Sequence, residues 1–268
     1  MKILILTTYF PPDTAIAAVR PYMFAKYLTK LGHDVTVLRS GMFQKEPDDS
    51  LDYSSIPIDV ISYLGENSPA EQYDRGDKSY KQIEGRSRIS FLPEYIRFPL
   101  AKLYNKVFRP VDFYKNLKRH TRDLVRIQKI AIDELQGEEF DVVFATCGDL
   151  ENAYAGQYAA KLFHCKWILD LRDSIPQKVF DSFFENIILK RIQDCAIRRA
   201  DVCTVVSDGL RESSREARRK EIITLYNGYE PTQIPTKEAM FPEQGVFSIC
   251  YTGQIYGSRE QGIILLLK

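Results

Sequence analysis

Short aliphatic runs recur along this chain, and stretches with helical spacing stand between them. The first is Ile3, Leu4, Ile5 and Leu6, which ends in Thr7 and Thr8 and then Pro11 and Pro12. A strand with one wet face alternates apolar and polar residues. A run that is apolar throughout is buried on both faces, the condition of a parallel sheet covered by helices on either side. Tyr22, Phe24, Ala25, Leu28 and Leu31 then recur at roughly helical spacing, Gly32 closes that helix, and residues 34–38 begin a second strand. The chain therefore opens with a βαβ unit. Further strands are expected at 141–145, 167–171, 201–206 and 221–226, which predicts a doubly wound parallel α/β sheet, and the irregular section between holds a short strand candidate at 58–62. Ligands of such sheets bind outside the carboxyl ends of the strands, where the strand order reverses. That rule singles out residues 9–20, 146–151, 172–176, 207–209 and 227–230.

With 44% apolar and 27% charged residues in 268, the composition is that of a folded globular chain, and disorder throughout is excluded. The five cysteines, Cys147, Cys165, Cys195, Cys203 and Cys250, are odd in number and contain no C-x-x-C pair, so neither a disulfide framework nor a zinc knuckle is indicated. A reducing compartment fits best. The apolar run 3–6 is too brief for a secretory signal, and no stretch approaches the roughly 20 apolar residues of a spanning helix. The expected location is cytoplasmic, either soluble or peripheral on the inner face of the cytoplasmic membrane.

A net charge of +1 exerts no global pull on nucleic acid, but the charge is unevenly spread. Residues 41–112 form an irregular section longer than a normal connection. From 86 to 129 the basic residues Arg86, Arg88, Arg97, Lys102, Lys106, Arg109, Lys115, Lys118, Arg119, Arg122, Arg126 and Lys129 face only Glu94, Asp112 and Asp123. Phe91, Tyr95, Phe98, Tyr104, Phe108, Phe113 and Tyr114 interleave with them. Such a mixture suits an anionic membrane surface, and it equally suits a solvated basic face on ordinary helices with aromatics in the core. Nucleic acid is not expected as a partner, since no recognition motif accompanies the patch.

Residues 247–251 read as a fresh strand, 252–259 as a loop and 261–267 as the start of an apolar helix, with Ile263, Ile264, Leu265, Leu266 and Leu267 uncovered. The expectation is half of a two-domain enzyme.

Several strand-end segments, in order, resemble a known family. Lys2 to Leu6 followed by Tyr9, Phe10, Pro11 and Pro12, then Arg20, then Leu31 to Leu38, look like the amino-terminal domain of a GT-B glycosyltransferase of retaining family 4. The stretches 170–176 and 226–230 strengthen the match, and 251–254 resembles the first strand and loop of the family's second domain. The resemblance implies a Rossmann-like acceptor-side domain at 1–230 with a basic and aromatic insert at about 41–130, a linker at 231–245, and a truncated donor-binding domain beginning at 246–268. It further implies retaining transfer of a sugar from a nucleotide-sugar donor to a lipid-linked or saccharide acceptor, such as a surface-polysaccharide precursor. No cofactor is expected, and metal-ligand spacing is absent.

In this reading Arg172 and Asp173 are the catalytic candidates, with Asp173 orienting or deprotonating an acceptor hydroxyl. The alternatives for Asp173 are capping the next helix or pairing with Arg172. Pro12, Arg20, Gly148, Asp149, Asn227 and Gly228 are cleft candidates. Arg20 is placed to reach a diphosphate, or to form a surface ion pair. Asp149 suits a helix cap as well as a substrate contact, and Asn227-Gly228 suits a plain turn. Gly253 and Arg259 would lie in the first donor-side loop.

Two departures from the family pattern stand out. Thr14, Ala15, Ile16, Ala17 and Ala18 replace its glycine-rich turn, which puts close phosphate contact there in doubt, and no histidine follows residues 141–145. His33 is read as structural and Ser207 as a helix cap. Because the resemblance implies that groups from both domains stabilise the barrier, the chain alone is expected to be inactive. The rival reading is a non-catalytic, membrane-docked subunit that presents an acceptor and recruits a separate donor-binding chain.

Overall fold

A computed structural model of the chain describes residues 1–13, 15–41, 56–64, 109–148, 150–175, 183–214, 216, 220–229, 249 and 264–265. The expected strand at 247–251 apart from Ile249, the linker at 231–245, and the site candidates Asp149, Gly253 and Arg259 lie outside the described residues. The chain divides into two compact units, Met1–Asn227 and Gly228–Lys268. All elements below belong to the first.

Strand β1 (Lys2–Thr7) leads through a short 3-10 turn (Ile16–Ala18) into α1 (Val19–Lys30) and β2 (Asp34–Arg39). After β3 (Ile58–Ser62) come α2 (Arg109–Asp133), β4 (Val142–Cys147), α3 (Leu150–Leu162) and β5 (Lys166–Leu171). The unit continues with α4 (Phe183–Arg199), β6 (Val202–Val205), α5 (Asp208–Ser213) and β7 (Ile222–Thr224). The seven strands form one sheet in the order β3-β2-β1-β4-β5-β6-β7, parallel at every pairing. This is the doubly wound, Rossmann-like α/β sheet expected. The order reverses between β1 and β4, so the binding crevice of such a sheet belongs at their carboxyl ends.

Alternation along β1 explains how both faces are covered. Ile3 and Ile5 join Tyr22 and Ala25 of α1 on one face, whereas Leu4 and Leu6 join Ile127, Ala131 and Ile132 of α2 and the buried alanines of α3 on the other. Each such fully buried aliphatic side chain contributes about 1.5–3 kcal/mol. Helix α1 ends as its sequence predicts. Gly32 takes the left-handed conformation, φ +82°, its N–H donates to Thr29 O at 2.9 Å, and that of His33 donates to Leu28 O at 3.1 Å. That paired arrangement satisfies two carbonyls the helix would otherwise leave open and gives His33 the structural place expected of it.

The stretch expected to hold an insert is not uniform. Its residues 58–62 pair as the edge strand β3, and 109–133 form α2, about 37 Å long at 1.5 Å per residue, whose carboxyl-terminal half packs on the sheet. Among the described residues no helix is long and apolar enough to cross a membrane.

Candidate functional site

The crevice is built first from the loop after β1. Thr7 Oγ1 donates to Tyr9 O at 2.9 Å, and the Phe10 ring is fully buried, edge-on to Tyr22. Arg39, from the neighbouring β2, donates through Nη1 to Phe10 O at 3.2 Å and Pro11 O at 3.0 Å, and through Nε to Ser62 Oγ at 3.0 Å. Asp13 closes the turn by accepting from Phe10 N at 3.3 Å. Burial pushes the Asp13 carboxyl above its ordinary value, against the Phe10 N–H and the charge of Arg39, and its Oδ1 has no hydrogen-bond partner among the described residues. Pro12, joined to Pro11 by a cis peptide bond, is half-buried in this clamped loop.

Arg20 turns inward. Its Nε and Nη2 meet Asp170 Oδ2 and Oδ1 at 3.0 and 2.7 Å, its Nη1 meets Asn227 Oδ1 at 2.9 Å, and the guanidinium lies 4.8 Å from the Phe24 ring centre. Asp170 is fully buried and also accepts from Thr204 Oγ1 at 2.6 Å. All three guanidinium nitrogens are thereby engaged by the protein. The surface ion pair considered for Arg20 is replaced by a buried one, and a diphosphate would have to compete with a bidentate carboxylate in a dry site.

Arg172 is also largely buried, its side chain 18% exposed, but it lacks a close carboxylate partner. It follows β5, donates through Nη1 to Ala17 O at 2.9 Å, and holds its guanidinium 5.6 Å from the Tyr9 ring centre, within cation–π range. A Cβ on Gly148 would fall 2.6 Å from Arg172 Nη2, so the glycine after β4 is what lets the side chain lie there. The cation therefore spans the reversal point, between the ends of β1 and β4. Asp173 beside it has a side chain 56% exposed, and its Oδ2 takes only a loose 3.5 Å contact from Arg172 Nε. Of the alternatives for Asp173, the pairing with Arg172 is present. No capping hydrogen bond from it occurs among the described residues.

Behind the crevice runs a buried amide chain that sequence reasoning missed. Gln128 Nε2 donates to Tyr63 Oη at 3.0 Å and to Asn152 Oδ1 at 2.7 Å. Asn152 Nδ2 donates in turn to Thr8 Oγ1 at 2.9 Å and Thr146 O at 3.2 Å. Gln128 Oε1 and Thr146 Oγ1 are buried without a partner among the described residues. A glutamine and an asparagine on helix faces read as solvent-exposed in sequence. The one available signal was their placement among apolar neighbours on the inner stripe of each helix.

At the far strands Ser207 caps α5 by accepting from Leu210 N at 3.2 Å, as expected. Asp208 accepts from Thr224 Oγ1 at 2.7 Å and from Tyr226 Oη, and the Tyr226 contact is the main reason its carboxyl sits below the ordinary value. Asn227 is tied to Arg20, while Gly228 opens the second unit. Burial pushes the Cys203 thiol up to about 12, so it is protonated at neutral pH and unsuited to nucleophilic work. Among the described residues no group of three or more His, Cys, Asp or Glu could hold a metal ion.

The structure thus brings Tyr9, Gly148, Arg172 and Asp173 to one mouth and buries Arg20 against Asp170, with the exposed Asn227 at its outer edge. An exposed carboxylate next to a fixed cation can orient a hydroxyl and meet an anionic group in the same ligand.

No protein-family model matches the chain, and no curated protein matches it. Solved structures that it resembles include Anabaena Alr3699/HepE in complex with UDP, at 12% identity and a TM-score of 0.43, over 86% of this chain and 45% of that one. They also include Arabidopsis thaliana UGT89C1 complexed with UDP-L-rhamnose, at 16% identity and a TM-score of 0.46, over 98% of this chain and 61% of that one. CalG4, the calicheamicin glycosyltransferase, is similar at 12% identity with a TM-score of 0.43, over 87% of this chain and 55% of that one. The chain spans about half the length of the solved proteins it matches. Its own fold rests on its strand order and register rather than on these likenesses.

Proposed function

We propose that this chain is the acceptor-side domain of a retaining GT-B glycosyltransferase of family 4, moving a sugar from a nucleotide sugar to a lipid-linked or saccharide acceptor. The observation that carries the reading is the exposed Asp173 carboxylate beside Arg172, whose guanidinium reaches the β1–β4 reversal point where a doubly wound sheet holds its ligand. Retention and the family rest on the ordered sequence resemblance. In the reaction the bond from the anomeric carbon to the nucleoside diphosphate breaks, a bond to the acceptor oxygen forms on the same face, and the acceptor hydroxyl gives its proton to Asp173. Asp173 orients that hydroxyl, and Arg172 meets an anionic group of the acceptor. Arg20 acts by fixing Asp170 and the end of β7.

Residues 1–230 are assigned to this domain, 231–245 to a linker and 246–268 to the beginning of the donor-binding domain, with Gly253 and Arg259 in its first loop. Groups that neutralise the departing diphosphate are assigned to the donor side, so the 268 residues alone should turn over little nucleotide sugar. The basic residues of α2 and those before it would rest on an anionic membrane, and flotation with acidic liposomes should show binding that salt weakens.

A screen of nucleotide sugars against the complete enzyme, reading released nucleoside diphosphate and the anomeric configuration of the product, tests the reading. Transfer with retention supports it. Rates typical of complete enzymes from residues 1–268 alone would refute the half-enzyme assignment, and an inverted product would refute the family.

A further inference from the structure

On the sheet face opposite α1, a groove of about 440 Å³ opens between α2 and α3, with Ile192 of α4 at its end. That volume lies within the range of pockets that hold one small molecule, roughly 300–1,000 Å³, although the groove is open along one side. Leu117, Val125, Leu150 and Ile192 supply its apolar floor. Among the described residues its charged lining is basic: Lys118, Arg122 and Lys129 along one stripe of α2, and Lys161 on α3.

Helical spacing explains the stripe, since residues four and seven apart share a face. The rim is also held in place. Lys129 Nζ lies 4.3 Å from the centre of the Tyr158 ring, and Tyr158 is fixed by donating its hydroxyl to Asp133 Oδ1 at 2.5 Å. Arg122 has only a loose 3.8 Å contact to its exposed neighbour Asp123, and Lys118 and Lys161 have no carboxylate partner among the described residues.

An apolar floor with four cations and, among the described residues, no acid in its lining selects a ligand with a hydrocarbon part and a concentrated negative charge. A guanidinium fork and several ammonium groups match the oxygens of a phosphate. We propose that the α2–α3 groove binds one lipid phosphate, its chain along Leu117, Val125, Leu150 and Ile192 and its headgroup among Lys118, Arg122, Lys129 and Lys161. The site is separate from the Arg172 crevice and does not depend on the transferase reading.

Titration calorimetry with dodecyl phosphate, below the concentration at which it forms micelles, tests this directly. One molecule should bind per chain. Inorganic phosphate and dodecyl maltoside, which each lack one half of the ligand, should bind at least about tenfold more weakly, and Lys118→Gln/Arg122→Gln should weaken dodecyl phosphate by about tenfold or more. Both substituted residues are exposed, so the fold should survive, and an unchanged unfolding midpoint would verify it. Equal affinity for the maltoside, or no loss in the double variant, would overturn the proposal. So would binding only to acidic phospholipid vesicles, which would make this face a membrane-adsorbing surface, or a groove filled by a second copy of the chain, seen as a dimer by light scattering.

Discussion

Arg20 and Arg172 both stand at the carboxyl edge of the sheet beside an aspartate, and the protein uses them in opposite ways. Arg20 is sealed into a bidentate pair with Asp170, whose side chain has no exposure, and every nitrogen of its fork is occupied. Arg172 is propped against a glycine and a tyrosine ring, and its aspartate neighbour faces solvent. The same pair of residue types is a structural bolt in one place and an available site in the other. Burial and the completeness of the hydrogen bonding decide which.

The comparison predicts a separation between stability and function. Asp170→Ala should have the largest effect, a loss of about 3–5 kcal/mol in denaturant unfolding, because it leaves the Arg20 charge buried without its counter-ion. A loss under about 1 kcal/mol would mean that the cluster is wet and that the contrast with Arg172 is overstated. Arg172→Ala should leave the unfolding midpoint nearly unchanged while lowering turnover of the complete enzyme about 10–100-fold, read as kcat/KM for the acceptor.

Gly148→Ala sharpens the comparison further. The added methyl meets only the end of a flexible guanidinium, so Arg172 should swing aside at a stability cost below about 1 kcal/mol, with a kcat/KM loss smaller than that of Arg172→Ala. A large loss of stability would indicate that Arg172 is as structural as Arg20.

The smallest effect should come from Asp13 in the clamped loop. Its carboxyl is raised above 3.8 by burial, so the native state binds the proton more tightly than the unfolded chain does. Stability should therefore fall as pH rises from the ordinary carboxylate value through the raised one, and Asp13→Asn should flatten that fall. An unfolding profile across this range that is identical in the variant would contradict the assignment.

The sheet was legible because parallel strands covered on both sides must be apolar throughout. All seven described strands fall where such runs, or the shorter one at 58–62, were expected. The site was legible only as positions. The rule for doubly wound sheets pointed to residues 9–20, 146–151 and 172–176, and Tyr9, Gly148 and Arg172 do meet there. It could not tell which arginine is sealed into a bidentate ion pair, because Asp170 pairs with Arg20 across 150 residues of sequence. One clue was present. Asp170 interrupts the apolar run of Ile168, Leu169 and Leu171, and a carboxylate inside a doubly covered strand requires a buried partner. The chain Tyr63–Gln128–Asn152–Thr8 was harder to read, since only the inner-stripe placement of its two amides hinted at burial and their partners come together only when the helices pack.

The most direct measurement is the Asp173→Asn variant of the complete enzyme, followed in parallel by acceptor-dependent release of nucleoside diphosphate and by thermal unfolding. The account predicts turnover reduced by at least about 100-fold with an unchanged unfolding midpoint. A folded variant that transfers at the wild-type rate would contradict the assignment of the Arg172–Asp173 mouth as the reacting site.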